Sequence, residues 1–589
     1  MKVLITTLNS KYIHSCLSIK YIARALRAFG DVEVREYTIN EDIDRILSSL
    51  VQGDHEVIGF SCYIWNIESV LRICKNLRKI RPDLKIFLGG PEVSYDAESL
   101  LEKHRYIDHV IAGEGELSVS EYLRALSGEI GLEEVQGLRW RRREADGRER
   151  IIANGSPVVL PDLSVVKSPY EEACEEEIRN KIVYYETSRG CVYNCSYCLS
   201  SVTKGVRFFP MPQVKEDIRK LVAMGAKQIK FVDRTFNVEP KRTMELICFL
   251  KEVDDGKINF HFEITAHLLT DVLIEELAGA REGLFQLEIG VQSTNPLTLS
   301  SICRQDRFEL LAQNVKKLQK KGNIHQHLDL IAGLPEENLS SFRKSFQDVY
   351  GLFPDMLQLG FLKLLKGTPI REQAERHGYV FRDYPPYEIL ENRYISAEEL
   401  FHLKEVEEMV DRFYNSSLFH YGIRYLSDFY REDYMRLYEE IGELHRTRFD
   451  GEKLSRDDNF FLLFIFGDSL KRNPDYNERL FRELLRFDYL RMGRTRVLPE
   501  FLRDEREFLS KEESLAFLDR RSVRAAFRME EMHLFEMAKK VAVYDFHYDL
   551  MEYLRYKEIL ETGCLIAFDY SGRRDIHGKV PFAGERRRS

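Results

Sequence analysis

Long apolar runs and cysteines are both scarce in this sequence of 589 residues. No run approaches the roughly 20 apolar residues that a membrane-spanning helix needs, so we expect no membrane span. The short apolar stretch at the N-terminus lacks a small-residue cleavage site, so we expect no signal peptide. Ten cysteines are too few for a disulfide scaffold, and three of them lie within eight positions. This usage favours metal chemistry in a reducing compartment, and we expect a cytoplasmic protein.

An excess of basic charge is also absent. Lys and Arg number 87 against 96 Asp and Glu, which gives a net charge of −9. Because nucleic-acid-binding domains are usually basic, the composition disfavours a nucleic-acid partner. Hydrophobic residues make up 44% of the chain and charged residues 31%, which excludes wholesale disorder. At roughly 150 residues per domain, the length predicts three or four structural units.

The first 130 residues alternate short apolar runs with amphipathic stretches. Five runs have the length of strands, namely 2–7, 32–37, 57–63, 84–90 and 109–113. Five strands separated by helices predict an α/β domain with a doubly wound parallel sheet. In such sheets, ligands bind at the carboxyl ends of the strands. The GxGxxG and Walker motifs are missing, which disfavours an ordinary dinucleotide or ATP site.

Small residues cluster at the predicted carboxyl ends of these strands, in the segments GFS, GGPEVS and GEGE. A small residue lets the backbone approach a flat or phosphorylated ligand closely. In this order, residues 1–130 resemble the cobalamin-binding domain that precedes the core of many radical S-adenosylmethionine (SAM) enzymes. The resemblance implies a flavodoxin-like sheet. It also implies five cofactor-binding candidates, which are Ser61, Gly89, Gly90, Glu114 and Gly115.

His14 lies in the loop after the first predicted strand. The vitamin-dependent methionine synthase family carries its cobalt-ligating histidine in this loop, within the motif DxHxxG. The segment here, YIHSCL, lacks both the Asp and the Gly. The resemblance therefore makes His14 a candidate cobalamin-binding residue. Ligation of cobalt and a polar loop position near the ligand both stay open.

A basic segment, 137–155, follows the first domain. Its two β-prone arms flank Asp146 and Gly147, a pair that predicts a hairpin turn. We expect the charges to form a solvated face and interpret 131–180 as a hairpin and linker.

Cys191, Cys195 and Cys198 have the spacing C-x3-C-x2-C. Three thiolates on one loop can hold three irons of a [4Fe–4S] cluster and leave the fourth iron open. Structural zinc and electron-transfer clusters normally take four protein ligands, and no fourth cysteine is nearby in the sequence. An open iron implies a ligand from outside the protein. This spacing resembles the signature of the radical SAM superfamily, whose cosubstrate chelates the open iron through its amino and carboxylate groups.

Six strand-like runs alternate with helical or loop segments between residues 181 and 384. They are 182–188, 228–233, 258–266, 284–293, 327–335 and 356–365. The pattern predicts a partial (β/α)6 barrel with its chemistry at the carboxyl ends of the strands. The segments EIGVQS, DLIAGLPEE and LKLLKGTP also resemble the cobalamin-containing branch of the superfamily.

These two resemblances together imply further SAM-binding residues. Tyr197 would lie beside the adenine, and Gly333 would let the adenine approach the backbone. Arg304 would hold the carboxylate, because a guanidinium suits bidentate recognition. The methionine and ribose groups would be contacted by Glu263, Gln292 and Ser293. For each, an ordinary buried polar role stays open as well.

Several histidines accompany the predicted third and fifth strands of the barrel. Alternation places His325 and His327 on the same face as Asp329. This favours capping of the barrel rim over a second metal site.

From residue 385 the pattern changes to long amphipathic helices, which predict a mostly helical domain over 385–575. We expect a mixed α/β element near 540–570 and a frayed tail over 576–589. The region resembles an uncharacterised extension of some cobalamin-type members. We expect it to close the active site and help select the substrate.

The resemblances imply an enzyme that binds a [4Fe–4S] cluster, SAM and cobalamin. It would generate a 5′-deoxyadenosyl radical and transfer a methyl group to an unactivated carbon of a small-molecule or other substrate. The expected electron donor is a flavodoxin-type or ferredoxin-type reductant. Three different functions stay open beside it: a cobalamin-dependent radical cyclase or rearrangement enzyme, a methylthiotransferase-like enzyme, and a non-catalytic corrinoid or redox carrier. Methylthiotransferases carry three N-terminal cluster cysteines, whose spacing Cys16, Cys62 and Cys74 do not match.

Overall fold

The computed structural model describes residues 1–145, 147–503, 509–575 and 577–587, so Asp146 of the expected hairpin turn lies outside the described residues. The N-terminal region contains one seven-stranded sheet of order β2-β1-β3-β4-β5-β6-β7. Its strands are β1 (Val3–Asn9), β2 (Val32–Thr38), β3 (Val57–Ser61), β4 (Lys85–Gly89), β5 (His109–Ile111), β6 (Leu138–Arg143) and β7 (Glu149–Ala153).

Helices cover both faces of this sheet. They are α1 (Leu17–Leu26), α2 (Ile43–Gln52), α3 (Ile67–Ile80), α4 (Ala97–Lys103) and α5 (Glu116–Leu126). Buried apolar residues of α1 and α5 form a core on one face, and those of α2, α3 and α4 form a second core on the other. Because β1 to β5 are parallel, this confirms the predicted doubly wound sheet. The order reverses between β1 and β3, the position at which flavodoxin-like sheets bind ligands.

The basic hairpin belongs to this sheet and is not a free linker. β6 pairs antiparallel with β5, and β7 pairs antiparallel with β6. Leu138 and Trp140 are buried against the core, which holds the hairpin in place. Arg139 is buried beside Glu98, so the expected solvated face is confined to the outer part of the hairpin, where Arg142, Arg143, Arg148 and Arg150 are exposed.

The middle region contains a six-stranded parallel sheet of order β15-β14-β13-β12-β11-β8, which confirms the partial barrel. The strands of this region are β8 (Val183–Tyr185), β9 (Ser188–Cys191), β10 (Gly205–Phe208), β11 (Gln228–Phe231), β12 (Asn259–Ile264), β13 (Phe285–Gln292), β14 (His325–Ala332) and β15 (Met356–Phe361). Its helices are α6 (Glu175–Asn180), α7 (Met211–Ala223), α8 (Pro240–Glu252), α9 (Asp271–Ala278), α10 (Pro296–Ser301), α11 (Phe308–Gln319), α12 (Leu339–Tyr350), α13 (Pro369–Glu372) and α14 (Ala374–His377).

Burial alternates along β11 and β13 because the two faces of the barrel sheet differ in polarity. In β13 the residues that pack against the helices are buried and apolar, and the residues between them point into the lumen and are half-buried. The lumen side of β11, β12, β13 and β14 is polar, since it carries Lys230, His261, Glu288 and His327. The sheet therefore positions polar side chains inside the barrel.

The C-terminal region is mostly helical, as predicted. Its helices are α15 (Ala397–Val410), α16 (His420–Ser427), α17 (Tyr434–Phe449), α18 (Arg456–Phe466), α19 (Glu478–Leu490), α20 (Lys511–Leu518), α21 (Arg521–Ala526), α22 (Leu534–Lys540) and α23 (Leu550–Tyr556). A short strand pair, β16 (Val380–Phe381) with β17 (Ile389–Glu391), precedes them. Within the described ranges, no helix has both the length and the apolar character needed to cross a membrane.

The mixed element expected near 540–570 is an antiparallel sheet with a helix between its first two strands. The strands are β18 (Val541–Phe546), β19 (Cys564–Asp569) and β20 (Phe582–Arg586). The prediction of a frayed tail over 576–589 was therefore wrong for β20. Phe582 packs on the main core, and five residue pairs join β20 to β19. Ile576, Arg588 and Ser589 lie outside the described residues.

Candidate active site

At the carboxyl end of the barrel, the three clustered cysteines lie on a β-hairpin, which consists of β9, β10 and the long loop 192–204 between them. We call 188–208 the cysteine hairpin and 192–204 the cysteine loop. β9 pairs antiparallel with β10, and Cys191 lies opposite Gly205. Gly190 has a φ of 94°, and a Cβ there would lie 2.1 Å from the Gly205 carbonyl oxygen. Only glycine fits this position without moving the backbone. The hairpin thereby brings Cys191, Cys195 and Cys198 to one cleft.

This cleft contains about 740 Å³ of empty space, including the part that opens to solvent. Four of the sequence-predicted SAM residues line it together with the three cysteines; they are Tyr197, Glu263, Gln292 and Arg304. They come from the cysteine loop, β12, β13 and the loop after α10. The carboxyl ends of parallel strands meet at one end of a barrel, which is why residues so far apart in sequence converge here.

The cleft contains buried polar atoms without a hydrogen-bond partner among the described residues. Oε1 of Gln292 and Nε of Arg304 are both of this kind. The guanidinium of Arg304 also lies 3.9 Å, measured from Nη1, from Sγ of Cys195. Buried polar groups are almost always paired, so these atoms fit a polar ligand in the cleft. Three thiols and a guanidinium suit a cluster with a carboxylate ligand beside it.

Two sequence-predicted residues are not among the residues that line this cleft. Ser293 is buried, and its hydroxyl donates to Oε1 of Glu337 at 2.5 Å. The register of β13 shifts between Gly290 and Gln292, and the φ of Gln292 is 71°, so simple alternation fails at this strand end. At Gly333 a Cβ would lie 1.9 Å from Cδ1 of Ile389, which covers that position.

Other residues of the cleft were not assigned a ligand role from the sequence. Tyr193 lies on the cysteine loop, Arg234 and Thr235 follow β11, and Thr265 follows β12. In the sequence, only their position after the ends of strands could have indicated that they line the cleft. Neighbouring Asp233 instead accepts hydrogen bonds from Thr187 and Ser188 and is buried away from the cleft.

Buried acidic groups give the cleft an uneven charge. Burial raises the pKa of Glu263 to about 7, although Arg234 opposes the shift. Burial would also raise the pKa of Glu288, but His261 and Lys230 overcome it and hold the value at about 2. Glu288 is therefore a permanent anion at neutral pH, and Glu263 is poised between its two protonation states.

Glu288, His327 and Asp329 form a compact group in the lumen, with ligand atoms within 4.8 Å of one another. Nζ of Lys230 lies 2.9 Å from Oε2 of Glu288, and Nε2 of His261 lies 3.0 Å from the same oxygen. Lys230 thus supplies a positive charge to this group. Ion pairs thus join these residues in the lumen, and the role of His327 in capping the barrel rim stays a prediction.

The carboxyl edge of the first sheet faces the barrel. His14, in the loop after β1, shares a 2.6 Å hydrogen bond between its Nδ1 and the hydroxyl of Tyr184 on β8. Burial lowers the pKa of His14, so the ring is neutral at pH 7. Ser61, at the end of β3, lies 2.9 Å from the hydroxyl oxygen of Ser18, which is 3.0 Å from that of Tyr63. Three hydroxyl groups therefore lie together at the β1–β3 switch point.

The remaining cobalamin candidates have contacts of their own. Gly90 has a φ of 102°, and a Cβ there would lie 2.6 Å from the Cys62 carbonyl oxygen, whereas Gly89 has room at the strand end. Gly115 allows α5 to pack near Ile22. Glu114 accepts from Arg207 at 2.7 Å, so its carboxylate joins the first domain to the cysteine hairpin.

Three family models match successive parts of the chain. Residues 3–123 match the B12 binding domain, and residues 185–349 match the radical SAM superfamily. This chain is a radical SAM enzyme with a B12-binding domain. Residues 375–568 match a family described as a protein of unknown function (DUF4080). The third match covers the helical extension.

Curated relatives match long stretches of the chain at low identity. The chain is 26% identical over 480 residues to the cobalamin-dependent radical SAM methyltransferase TokK of Streptomyces tokunonensis, covering 73% of this chain and 68% of TokK. It is 25% identical to 2-(S-pantetheinyl)-carbapenam-3-carboxylate methyltransferase of Streptantibioticus cattleyicolor, covering 56% of this chain. The match spans only half of that second protein.

Solved structures show the same fold. The methyltransferase TsrM from Kitasatospora setae, solved with cobalamin and a [4Fe–4S] cluster, aligns with a TM-score of 0.54 and 19% identity over 65% of this chain and 76% of TsrM. The cobalamin-dependent enzyme OxsB aligns with a TM-score of 0.58 and 17% identity over 82% of this chain and 78% of OxsB. At these identities the likeness describes the fold alone.

Proposed function

We propose that Cys191, Cys195 and Cys198 hold a [4Fe–4S] cluster and that SAM binds beside it in the same cleft. The observation that carries the proposal is that these cysteines line the same cleft as Gln292 and Arg304. Each of these two side chains has a buried polar atom without a partner among the described residues. Arg304 would pair with the SAM carboxylate, and the amide of Gln292 would bond a hydroxyl or amino group. Tyr197 and Glu263 would complete the wall of the site.

We further propose that cobalamin binds at the carboxyl edge of the first sheet, between that sheet and the barrel. Ser61 and the backbone at Gly89 and Gly90 would contact it at the β1–β3 switch point, and Gly115 would keep α5 close. His14 lies in the same edge, and Nε2 of its neutral ring makes no hydrogen bond to a described residue. A neutral imidazole with a free nitrogen suits either a ligand of cobalt or a hydrogen bond to the corrin.

The reaction that these sites support best is methyl transfer to an unactivated carbon. The bound cofactors would supply the electron that cleaves SAM and the methyl group that is transferred. The chain's own residues bind and orient: Arg304 fixes the SAM carboxylate, and the polar lumen around Lys230 and His261 receives the substrate between the two cofactor sites. TokK and TsrM, both called methyltransferases, lend the proposal support.

The experiment starts from protein purified without oxygen from cells supplied with cobalamin. We expect about four irons and one cobalt per chain. With reductant and substrate, S-adenosylhomocysteine should form alongside 5′-deoxyadenosine. Cys195→Ser should abolish both products, whereas Cys248→Ser, an exposed cysteine on α8, should leave both unchanged. If 5′-deoxyadenosine forms alone with the true substrate, methyl transfer is wrong and cyclisation or rearrangement replaces it.

A methylthiotransferase-like enzyme and a corrinoid carrier would each give a different result in this experiment. The methylthiotransferase-like enzyme would bind about eight irons. The structure disfavours it, because Cys16 packs on one face of the first sheet and Cys62 and Cys74 on the other. A corrinoid carrier would retain cobalt but leave SAM intact. We propose that the enzyme works in the cytoplasm with a flavodoxin-type or ferredoxin-type electron donor.

A further inference from the structure

Asp306 is a carboxylate that lies behind the cleft and does not line it. It belongs to the loop between α10 and α11, and its side chain is only 3% exposed. Its Oδ1 lies 2.8 Å from Nδ1 of His267, and its Oδ2 accepts from Nη2 of Arg304 at 3.1 Å. One buried carboxylate therefore bridges two basic side chains.

Each partner of Asp306 in turn lies close to a residue of the cysteine loop. Arg304 approaches Sγ of Cys195 and also donates to the backbone carbonyl of Gly290. On the other side, Nε2 of His267 lies 3.5 Å from the hydroxyl of Tyr193, which is on the cysteine loop. Asp306 thus sits at the centre of a chain of contacts that runs from Tyr193 to Cys195.

The guanidinium of Arg304 needs such a partner. An arginine side chain has many rotamers, and a buried guanidinium without a carboxylate is costly. Asp306 and the Gly290 carbonyl both engage Nη2, while Nε has no partner among the described residues. The Arg304 side chain is therefore held in place, and its Nε remains available to donate to a ligand.

We propose that Asp306 is a positioning residue that holds Arg304 in the orientation that binds the carboxylate of SAM. This inference rests on the proposed function of the cleft. It assigns Asp306 no contact with SAM or with the cluster. Its effect passes through Arg304, so the two residues must act as one unit.

The test measures SAM affinity on reconstituted protein, from the change that SAM causes in the electron paramagnetic resonance spectrum of the reduced cluster. Asp306→Asn keeps the size of the side chain and removes its charge. We expect iron content to match wild type and SAM affinity to fall about tenfold, the loss typical of one charge-assisted hydrogen bond. Asp306→Glu should recover part of the affinity.

A matched control and a double variant separate positioning from a general structural effect. Asp254→Asn removes a comparable carboxylate, which pairs with Arg281 at 2.8 Å elsewhere in the barrel, and should leave SAM affinity unchanged. Arg304→Met should weaken SAM binding, and adding Asp306→Asn to it should cause no further loss. Such non-additivity is the signature of residues that act as a unit.

Three results would overturn the inference while the proposed function stands. The first is unchanged SAM affinity in Asp306→Asn, and the second is independent, additive losses in the double variant. The third is loss of iron in Asp306→Asn, because Asp306 would then be needed to form the cysteine loop. If wild-type protein with a complete cluster shows no spectral response to SAM, the proposed function itself fails.

Discussion

Gln292 combines backbone strain with a position in the cleft. Its φ of 71° is rare for a residue with a side chain and favours glycine, so its conformation opposes stability. Strain of this kind concentrates at functional sites because the surrounding structure must hold it. The unpaired Oε1 in the cleft is the group that the strained backbone presents.

Gln292→Gly should therefore stabilise the fold and weaken SAM binding at the same time. Glycine adopts this φ freely, so we expect the free energy of unfolding to rise by about 1 kcal/mol. Loss of the amide should weaken SAM binding about tenfold. Thermal unfolding and SAM titration measure the two effects. A variant that binds SAM as wild type does would remove Gln292 from the proposed site.

Glu263 should make the stability of the barrel depend on pH. Because its pKa is raised to about 7, the folded state favours the protonated form. Its contribution to stability is then progressively lost as pH rises from about 4.5 through 7. Glu263→Gln should raise the melting temperature at pH 8 and change little near pH 4.5. The shift in the pKa of Glu263 corresponds to roughly 3 kcal/mol of unfolding free energy at most. An increase of equal size at both pH values would contradict the assignment.

The cysteine hairpin is the element on which the whole site depends. Two of its glycines have positive φ, 94° at Gly190 and 81° at Gly205, but their surroundings differ. A Cβ at Gly190 would strike the backbone of the facing strand, whereas a Cβ at Gly205 meets nothing within 4 Å. The two positions therefore form a matched pair.

Gly190→Ala should disrupt the hairpin, and Gly205→Ala should not. We expect Gly205→Ala to cost about 1 kcal/mol and to retain a full cluster. In Gly190→Ala the strands must separate, so iron content after anaerobic reconstitution should fall well below four per chain. Iron analysis and melting temperature check both variants. Equal iron content in the two would show that the hairpin tolerates a shifted backbone.

At the scale of elements, the sequence predicted what periodicity and spacing can express. The alternation of strands and helices was sufficient to predict the parallel strands β1 to β5 and the parallel sheet of the barrel. The cysteine spacing was sufficient to predict the loop that carries the cysteines. Alternation could not show that Ser293 lies outside the cleft lining, because the register shift in β13 has no signature in the sequence. β20 was missed because its pairing with β19 depends on a partner that precedes it by more than a dozen residues. Asp306 went unnoticed because its partners converge only in three dimensions.

At the scale of the whole molecule, charge pairs join the first domain to the barrel along the edge where we propose that cobalamin binds. Glu114 pairs with Arg207 of the cysteine hairpin. Elsewhere, Nζ of Lys366, after β15, lies 2.9 Å from both Glu92 and Asp96. These pairs are among those that hold the first domain against the barrel. A reaction between the two proposed cofactor sites requires the distance between them to be fixed.

Breaking one of these ion pairs should loosen the contact between the first domain and the barrel without unfolding either one. Glu114→Gln leaves Arg207, whose side chain is 15% exposed, with its charge poorly compensated. Removing one partner of a buried pair costs about 3 kcal/mol, and that cost falls on the interface. We expect hydrogen exchange to accelerate at the β5 edge and at β10 while the barrel core stays protected. Glu129→Gln, which removes an exposed pair with Arg124, should have no such effect. Unchanged exchange at both edges in Glu114→Gln would mean that the Glu114–Arg207 pair is not needed to fix the spacing between the proposed cofactor sites.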